Sequence, residues 1–178
     1  MRALCLTCLF VAAVAIGAAA QTPTTVAPAA SVSSVTVTNA GTYTGVSKSA
    51  TAEAGQQSPT RTVGTLSDWR FVSDSTDVDG KVGTQFGVEF RVDGAPAGDS
   101  VTLYLTLAFP PQGIRNPNTG ETLHGATIAL PNAKIGVRCL IGYGFDNAWE
   151  IVPGPWTLQV WYQNRMLAER TFTVTKAE

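Results

Sequence analysis

Apolar and polar positions alternate along most of this chain. Val101, Leu103, Leu105, Leu107 and Phe109 recur at every second residue, the period of a strand that buries one face. Pro110-Pro111 then ends the strand, because proline cannot donate to a ladder. The stretch from Gln85 to Val92 alternates in the same way, with Phe86, Val88, Phe90 and Val92 inward, Glu89 and Arg91 outward, and Asp93-Gly94 as the closing turn. Upstream, Val35 and Val37 alternate with threonines and lead into Gly41-Thr42-Tyr43-Thr44-Gly45, a first strand interrupted or ended by glycine. Ser47 to Thr60 is small and polar and reads as a loop. After Trp69-Arg70-Phe71-Val72, Asp74 to Gly80 reads as an acidic turn.

The second half continues the pattern. Ala126–Leu130 and Ile135–Phe145 predict a further strand pair separated by Pro131-Asn132. Trp156, Leu158, Val160 and Tyr162 fall on one face of a strand, Asn164-Arg165 stands at the centre of a hairpin turn, and Phe172 and Val174 return on the far strand. Asparagine suits such a turn because it tolerates positive φ. After Ala20 no window shows apolar spacing at three, four and seven residues, so almost no helix is expected. About seven to nine short strands with frequent turns predict an all-β fold, a single immunoglobulin-like antiparallel β-sandwich.

The N-terminus follows a different rule. Arg2 precedes an apolar run from Leu9 to Ile16, and Gly17-Ala18-Ala19-Ala20 supplies the small residues a signal peptidase reads. Residues 1–20 are therefore expected to be a signal peptide cleaved after Ala20, which sends the protein to the periplasm or out of the cell. The run is shorter than the ~20 residues of a membrane span, and no other window approaches that length. Cys5 and Cys8 leave with the signal and are misplaced for a lipid attachment at the boundary. Residues 21–34, an uncharged Thr, Pro, Ala, Ser and Val segment, read as a flexible linker. Residues 35–178 then form one domain of roughly 140 residues, enough for a single core without disulfide or metal.

Composition narrows the function. Charged residues make up 14% against a usual ~25%, and the formal net charge of −1 offers no basic surface to nucleic acid. The 17 glycines and 10 prolines agree with many turns. Cys139 is the one cysteine left after cleavage, so no disulfide is expected. Its place in Ile135, Val137, Cys139, Ile141, Tyr143 makes it a small buried hydrophobe. The Asp74–Gly80 stretch fails as an EF-hand: with Asp77 and Asp79 in the third and fifth ligand places, Phe86 stands where a bidentate glutamate is needed. His124 is the lone histidine, no G-x-S-x-G turn is present, and one His with one core Cys cannot hold zinc. No catalytic, metal or cofactor-binding residue is assigned, and no cofactor is expected.

The tryptophans carry the remaining interest. Trp156 reads as core, and Trp149 as a plug at the end of the sandwich, placed by the Val152-Pro153-Gly154-Pro155 turn. Trp161 points to the other face, beside Thr157 and Gln159 and opposite a strand bearing Glu169, Thr171 and Thr173. There it is either a half-covered tryptophan stacked on a cross-strand neighbour or part of a platform for a sugar ring or a protein partner. It is the one candidate ligand-contact residue. The loop from Pro110 to Leu123, with Arg115, Asn116 and Asn118, is the candidate variable contact surface.

The run Trp149-Glu150-Ile151-Val152-Pro153-Gly154-Pro155-Trp156 and the closing Phe172-Thr173-Val174 resemble the C-terminal signature of a bacterial family of secreted domains of unknown function. Gly83-Thr84-Gln85-Phe86-Gly87-Val88 and Gly94-Ala95-Pro96-Ala97-Gly98 resemble the middle of that family's pattern. The resemblance implies an immunoglobulin-like sandwich exported by a Gram-negative bacterium and brings no activity. The function expected is that of a non-catalytic binding module of the bacterial envelope with a protein or glycan partner. The rival classes are a carbohydrate-binding module, which needs two or more coplanar exposed aromatics, and a small secreted hydrolase.

The mature protein is expected to begin at Gln21 without lipid, and the intact mass of exported protein checks this; an acylated species retaining Cys5 or Cys8 would contradict it.

Overall fold

The computed structural model describes residues 29–51, 58–60 and 62–176. The expected signal peptide and the linker up to residue 28 lie outside the described residues. Two sheets face each other. In chain order the strands are β1 (Ser31–Thr51), β2 (Thr62–Phe71), β3 (Asp77–Gly80), β4 (Gln85–Ala95), β5 (Ser100–Ala108), β6 (Ile114–Arg115), β7 (Thr122–Leu123), β8 (Gly125–Lys134), β9 (Arg138–Gly144), β10 (Gly154–Tyr162) and β11 (Arg165–Lys176), with one 3-10 turn at Ala148–Glu150. The first sheet has the order β2-β1-β4-β9, the second β3-β11-β10-β5-β8, and β6-β7 forms a small ribbon. The fold is an immunoglobulin-like β-sandwich. Its sheet neighbours run antiparallel except β3 and β11, which are parallel.

Alternation builds the core. Phe86, Val88, Phe90 and Val92 on β4, the four odd-numbered residues Val101 to Leu107 on β5, and Trp156, Leu158, Val160 and Tyr162 on β10 are all buried. The largest of these, Trp156, is fully buried and touches Phe86, Phe109, Tyr143 and Phe145 at centroid separations of 5.0–5.7 Å. Phe86 and Tyr143 belong to the first sheet and Trp156 to the second, so one indole bridges the layers. Its Nε1–H, which would otherwise be stranded in apolar surroundings, donates to the Val152 carbonyl at 2.9 Å.

Several local expectations are corrected by pairing between distant segments. β1 begins at Ser31, inside the expected linker, because Ser31 and Val32 pair with Ala95 and Gly94. It passes through Gly41 and Gly45 and continues to Thr51, where a loop was expected, because its second half pairs with β2. The Asp74–Gly80 turn is half strand: Asp77–Gly80 adds to the end of β11, with Val78 and Gly80 buried and both aspartates exposed. The expected pair on either side of Pro131-Asn132 is two strands in different sheets, β8 beside β5 and β9 beside β4. Pro131 and Asn132 sit within β8, opposite the register shift between Val101 and Leu103. Proline is tolerated there because β8 is an edge strand with a bulge. The real turn is centred on Ile135-Gly136 and closed by the Val137 N–H on the Lys134 carbonyl, and it leaves Val137 exposed. The final hairpin turns at Gln163 and Asn164, both at positive φ, one residue before the expected centre.

The two faces of β10 should respond differently to truncation. Trp156→Ala is expected to cost about 3–5 kcal/mol and Trp161→Ala ~1 kcal/mol of cross-strand contact. Urea denaturation of both variants measures the difference, and equal losses would contradict it.

Candidate functional site

The second half of β1 and all of β2 form an arm. Beyond Tyr43 this arm has left β4 behind, since Tyr43 opposite Gln85 is the last pair of β1 with β4. It lies back over the outer face of the first sheet. Glu89 points to that face by alternation, opposite Asn39 and Leu140, and was expected in solvent. It is buried instead. Its carboxylate accepts hydrogen bonds from Trp69 Nε1 at 2.8 Å, Thr38 Oγ1 at 2.8 Å and Asn39 Nδ2 at 3.2 Å, and pairs with Arg138 Nη1 at 3.2 Å. Burial would raise its pKa, but the bonds from Trp69, Thr38 and Asn39 and the charge of Arg138 together hold it below the usual glutamate value. A second clasp holds the arm's tip, where Asn116 Nδ2 donates to the Pro59 carbonyl at 2.8 Å.

The arm forms one wall of a cleft of about 520 Å³, with Ser58, Thr60, Gly64, Leu66 and Trp69 on that side. The other walls are the free edges of the two sheets. β8 contributes Ile128, Leu130 and Pro131, β9 contributes Cys139 to Gly144, and Leu105 and Leu107 stand behind them on β5. Gly142 lets Tyr43 pack against β9 at the cleft wall: a Cβ there would collide with the Tyr43 hydroxyl and the Phe86 carbonyl. Tyr43, Gln85, Tyr143 and Glu150 line the polar end. Glu150 is fully buried yet saturated, accepting from Tyr143 Oη at 2.6 Å and from Asn147 N and Nδ2 at 2.8 Å each. Burial, then the charge and hydrogen bond of Glu150, push the Tyr143 phenol far up, and burial alone does so for Tyr43. Both phenols stay neutral. Gln85 Oε1 is buried without a hydrogen-bond partner among the described residues.

The sequence-predicted residues fall at different places. Trp161 lies half-buried on the outer face of the second sheet, as alternation required, and its Nε1–H donates to Gln159 Oε1 at 3.0 Å. A bulge between Val160 and Trp161 brings Met166 opposite it, while Tyr104 flanks it on β5. Tyr104 and Met166 are 48% and 46% exposed, so the three side chains form an apolar row across three strands. The expected contact loop is at the other end of β5 and is mostly structural. Within Pro110–Leu123, β6 pairs with β7, and Ile114 and Asn116 are buried. Cys139 is free and half-buried rather than enclosed, because β9 is an edge strand, and burial pushes its thiol pKa up. His124 is exposed. No group of three or more His, Cys, Asp or Glu able to hold a metal occurs among the described residues, and no described helix is long and apolar enough to cross a membrane. Glu89, Tyr104 and Gln85 were not singled out by the sequence reading, and Trp69 was named among the tryptophans of interest without a role. The one available signal was Tyr104, which shares the outward parity of β5.

A family described as a domain of unknown function (DUF3859) matches residues 33–174. Among solved structures, an immunoglobulin-like protein from Pseudomonas aeruginosa is similar, with a TM-score of 0.53 and 23% identity over 80% of this chain and 98% of that one. At that identity the likeness shows the fold alone. No curated protein matches the chain.

Because the folded pKa of Glu89 is depressed, its stabilisation is complete above the ordinary glutamate value of 4.5 and is lost as pH falls through the lower folded value. Melting temperature against pH should therefore fall more steeply below that value in the wild type than in Glu89→Gln. At neutral pH, Glu89→Ala, which strands the Trp69 N–H, should cost about 1–3 kcal/mol.

Proposed function

We propose, for a chain that belongs to the DUF3859 family of domains of unknown function, the role of an exported, non-catalytic recognition module of the bacterial envelope. Export rests on the signal-like pattern of Met1 to Ala20. The non-catalytic reading is supported by what the two buried carboxylates do: Glu89 and Glu150 spend their oxygens on the structural bonds that fasten the arm and the 3-10 turn.

The observation that carries the reading is the row Tyr104, Trp161 and Met166. On adjacent strands about 4.8 Å apart, it makes an apolar strip roughly 10 Å wide on an otherwise polar sheet face. Beside it run the Gln159–Glu169 and Thr157–Thr171 pairs. Tryptophan and tyrosine supply large contact area at low entropic cost, and such residues dominate binding surfaces. Met166 adds a flexible apolar contact of the kind protein partners use. A protein partner in the envelope is the reading this set supports best. The sugar-binding alternative gains from the same row, since Tyr104 is the second exposed aromatic that Trp161 alone lacked.

The double variant Trp161→Ala/Tyr104→Ser separates these readings, because outer-face substitutions leave the core intact. Binding to an envelope partner identified by crosslinking should weaken at least ~30-fold, the loss expected for a hot spot worth 2 kcal/mol. Wild-type signal on a glycan array that the double variant abolishes would favour the sugar. Unchanged partner binding by the variant would refute the platform.

A further inference from the structure

The cleft between the sheet edges is independent of the outer aromatic row. We infer that it is a binding site for a small, neutral, largely apolar molecule carrying one N–H or O–H donor. Three observations lead there.

The first is size and enclosure. About 520 Å³ lies within the range of pockets that hold small ligands, and the walls come from both sheets and from the arm. β8 and β9 are free edges, which would suit an added peptide strand. The arm excludes that occupant, because Gly64, Leu66 and Trp69 stand on the cleft's third side, and β8 is interrupted at Pro131. A compact molecule fits where a strand does not.

The second is wall chemistry. Leu66, Leu105, Leu107, Ile128, Leu130 and Ile141 give the cleft an aliphatic lining. The buried acid at its polar end, Glu150, already accepts three hydrogen bonds, and both phenols are held neutral by burial. Among the described residues no Lys, Arg or His lines the cleft, so an anion finds no counter-charge there. Asp146, the exposed acid of the lining, faces water, and a cation drawn onto the aliphatic walls would lose its hydration, whereas a neutral ligand meets no such penalty.

The third is the orphan acceptor. Gln85 lines the cleft, and its Oε1 is buried with no partner among the described residues. Buried acceptors in folded proteins are almost always satisfied. Gln85 stands beside Tyr43 at the last rung of β1 with β4, and both residues line the cleft. One donor from the ligand completes the site.

The test uses N-phenyl-1-naphthylamine, a neutral apolar fluorophore with one N–H. Added to the mature protein, it should show saturable, one-to-one fluorescence enhancement. In protein labelled with 15N-tryptophan, the Trp69 indole resonance should move and that of Trp161 should stay, which separates this site from the outer row. Gln85→Leu, with an unchanged melting temperature, should weaken binding about tenfold, the equivalent of one hydrogen bond. Ile128→Phe, which narrows the cleft, should weaken it further. Absence of saturable binding, or a shift at Trp161 with Trp69 unmoved, would overturn the site. Equal affinity of Gln85→Leu and wild type would overturn the donor requirement and leave Oε1 to a water molecule.

Discussion

The fold depends on one constraint: the two sheets must close over a tryptophan that neither can cover alone. Trp156 stands on β10, and the rings around it come from β4, from β9 and the turn that follows it, and from the end of β5. Phe86 relays the contact to Phe172 on β11 at 5.2 Å. A cluster of this kind stabilises through apolar area and edge-to-face geometry at once. Every strand that contributes a ring is thereby fixed in both position and register. The indole N–H also fixes the approach to β10, since its acceptor is Val152, four residues before it in the chain.

The run from Trp149 to Trp156 has a physical account in these terms. Glu150 ties Tyr143 and Asn147 together at the base of the cluster. Val152 receives the Trp156 indole N–H, and Pro153 accepts from Gln112 Nε2 at 2.8 Å. Gly154, at φ +129°, opens β10 against Pro110. The segment is thus a fastening that holds the β9 end, the Pro110–Leu123 region and β10 against one another. A buried carboxylate is tolerated at its centre because three donors replace the water it loses.

Glu89 solves the same problem on the other side of the first sheet. An acid on an outer strand face would ordinarily be hydrated. Here the arm covers it, and Trp69 supplies a donor at the point of closure. Covering this face has a consequence for the sandwich edge, because the arm that shields Glu89 also walls the cleft beside β9. Among the described residues, the outer face of the second sheet has no such cover. Its Tyr104, Trp161 and Met166 therefore remain available, and the two surfaces are dissimilar, one a cleft with aliphatic walls, the other an open aromatic face.

Alternation and turn chemistry were legible along the chain because they are local. A residue's parity within β4, β5, β10 or β11 depends only on its neighbours, so the sequence alone determined the all-β class, the inward sets on those strands, Trp156 as core and Trp161 on the opposite face. Parity says which way a side chain points, not what lies there. Whether Glu89 meets water or an indole is decided by an arm whose pairing begins beyond Tyr43 and by a contact spanning 20 residues of sequence. Asn116 reads as a loop residue until Pro59 arrives 57 positions away. A bulge, invisible to a period-two reading, sets Met166 beside Trp161. The same holds for Asp77 and Asp79, whose strand exists only because the end of β11 offers it an edge. The cleft follows from tertiary structure alone, since it lies between two sheet edges and an arm that no local window can place together.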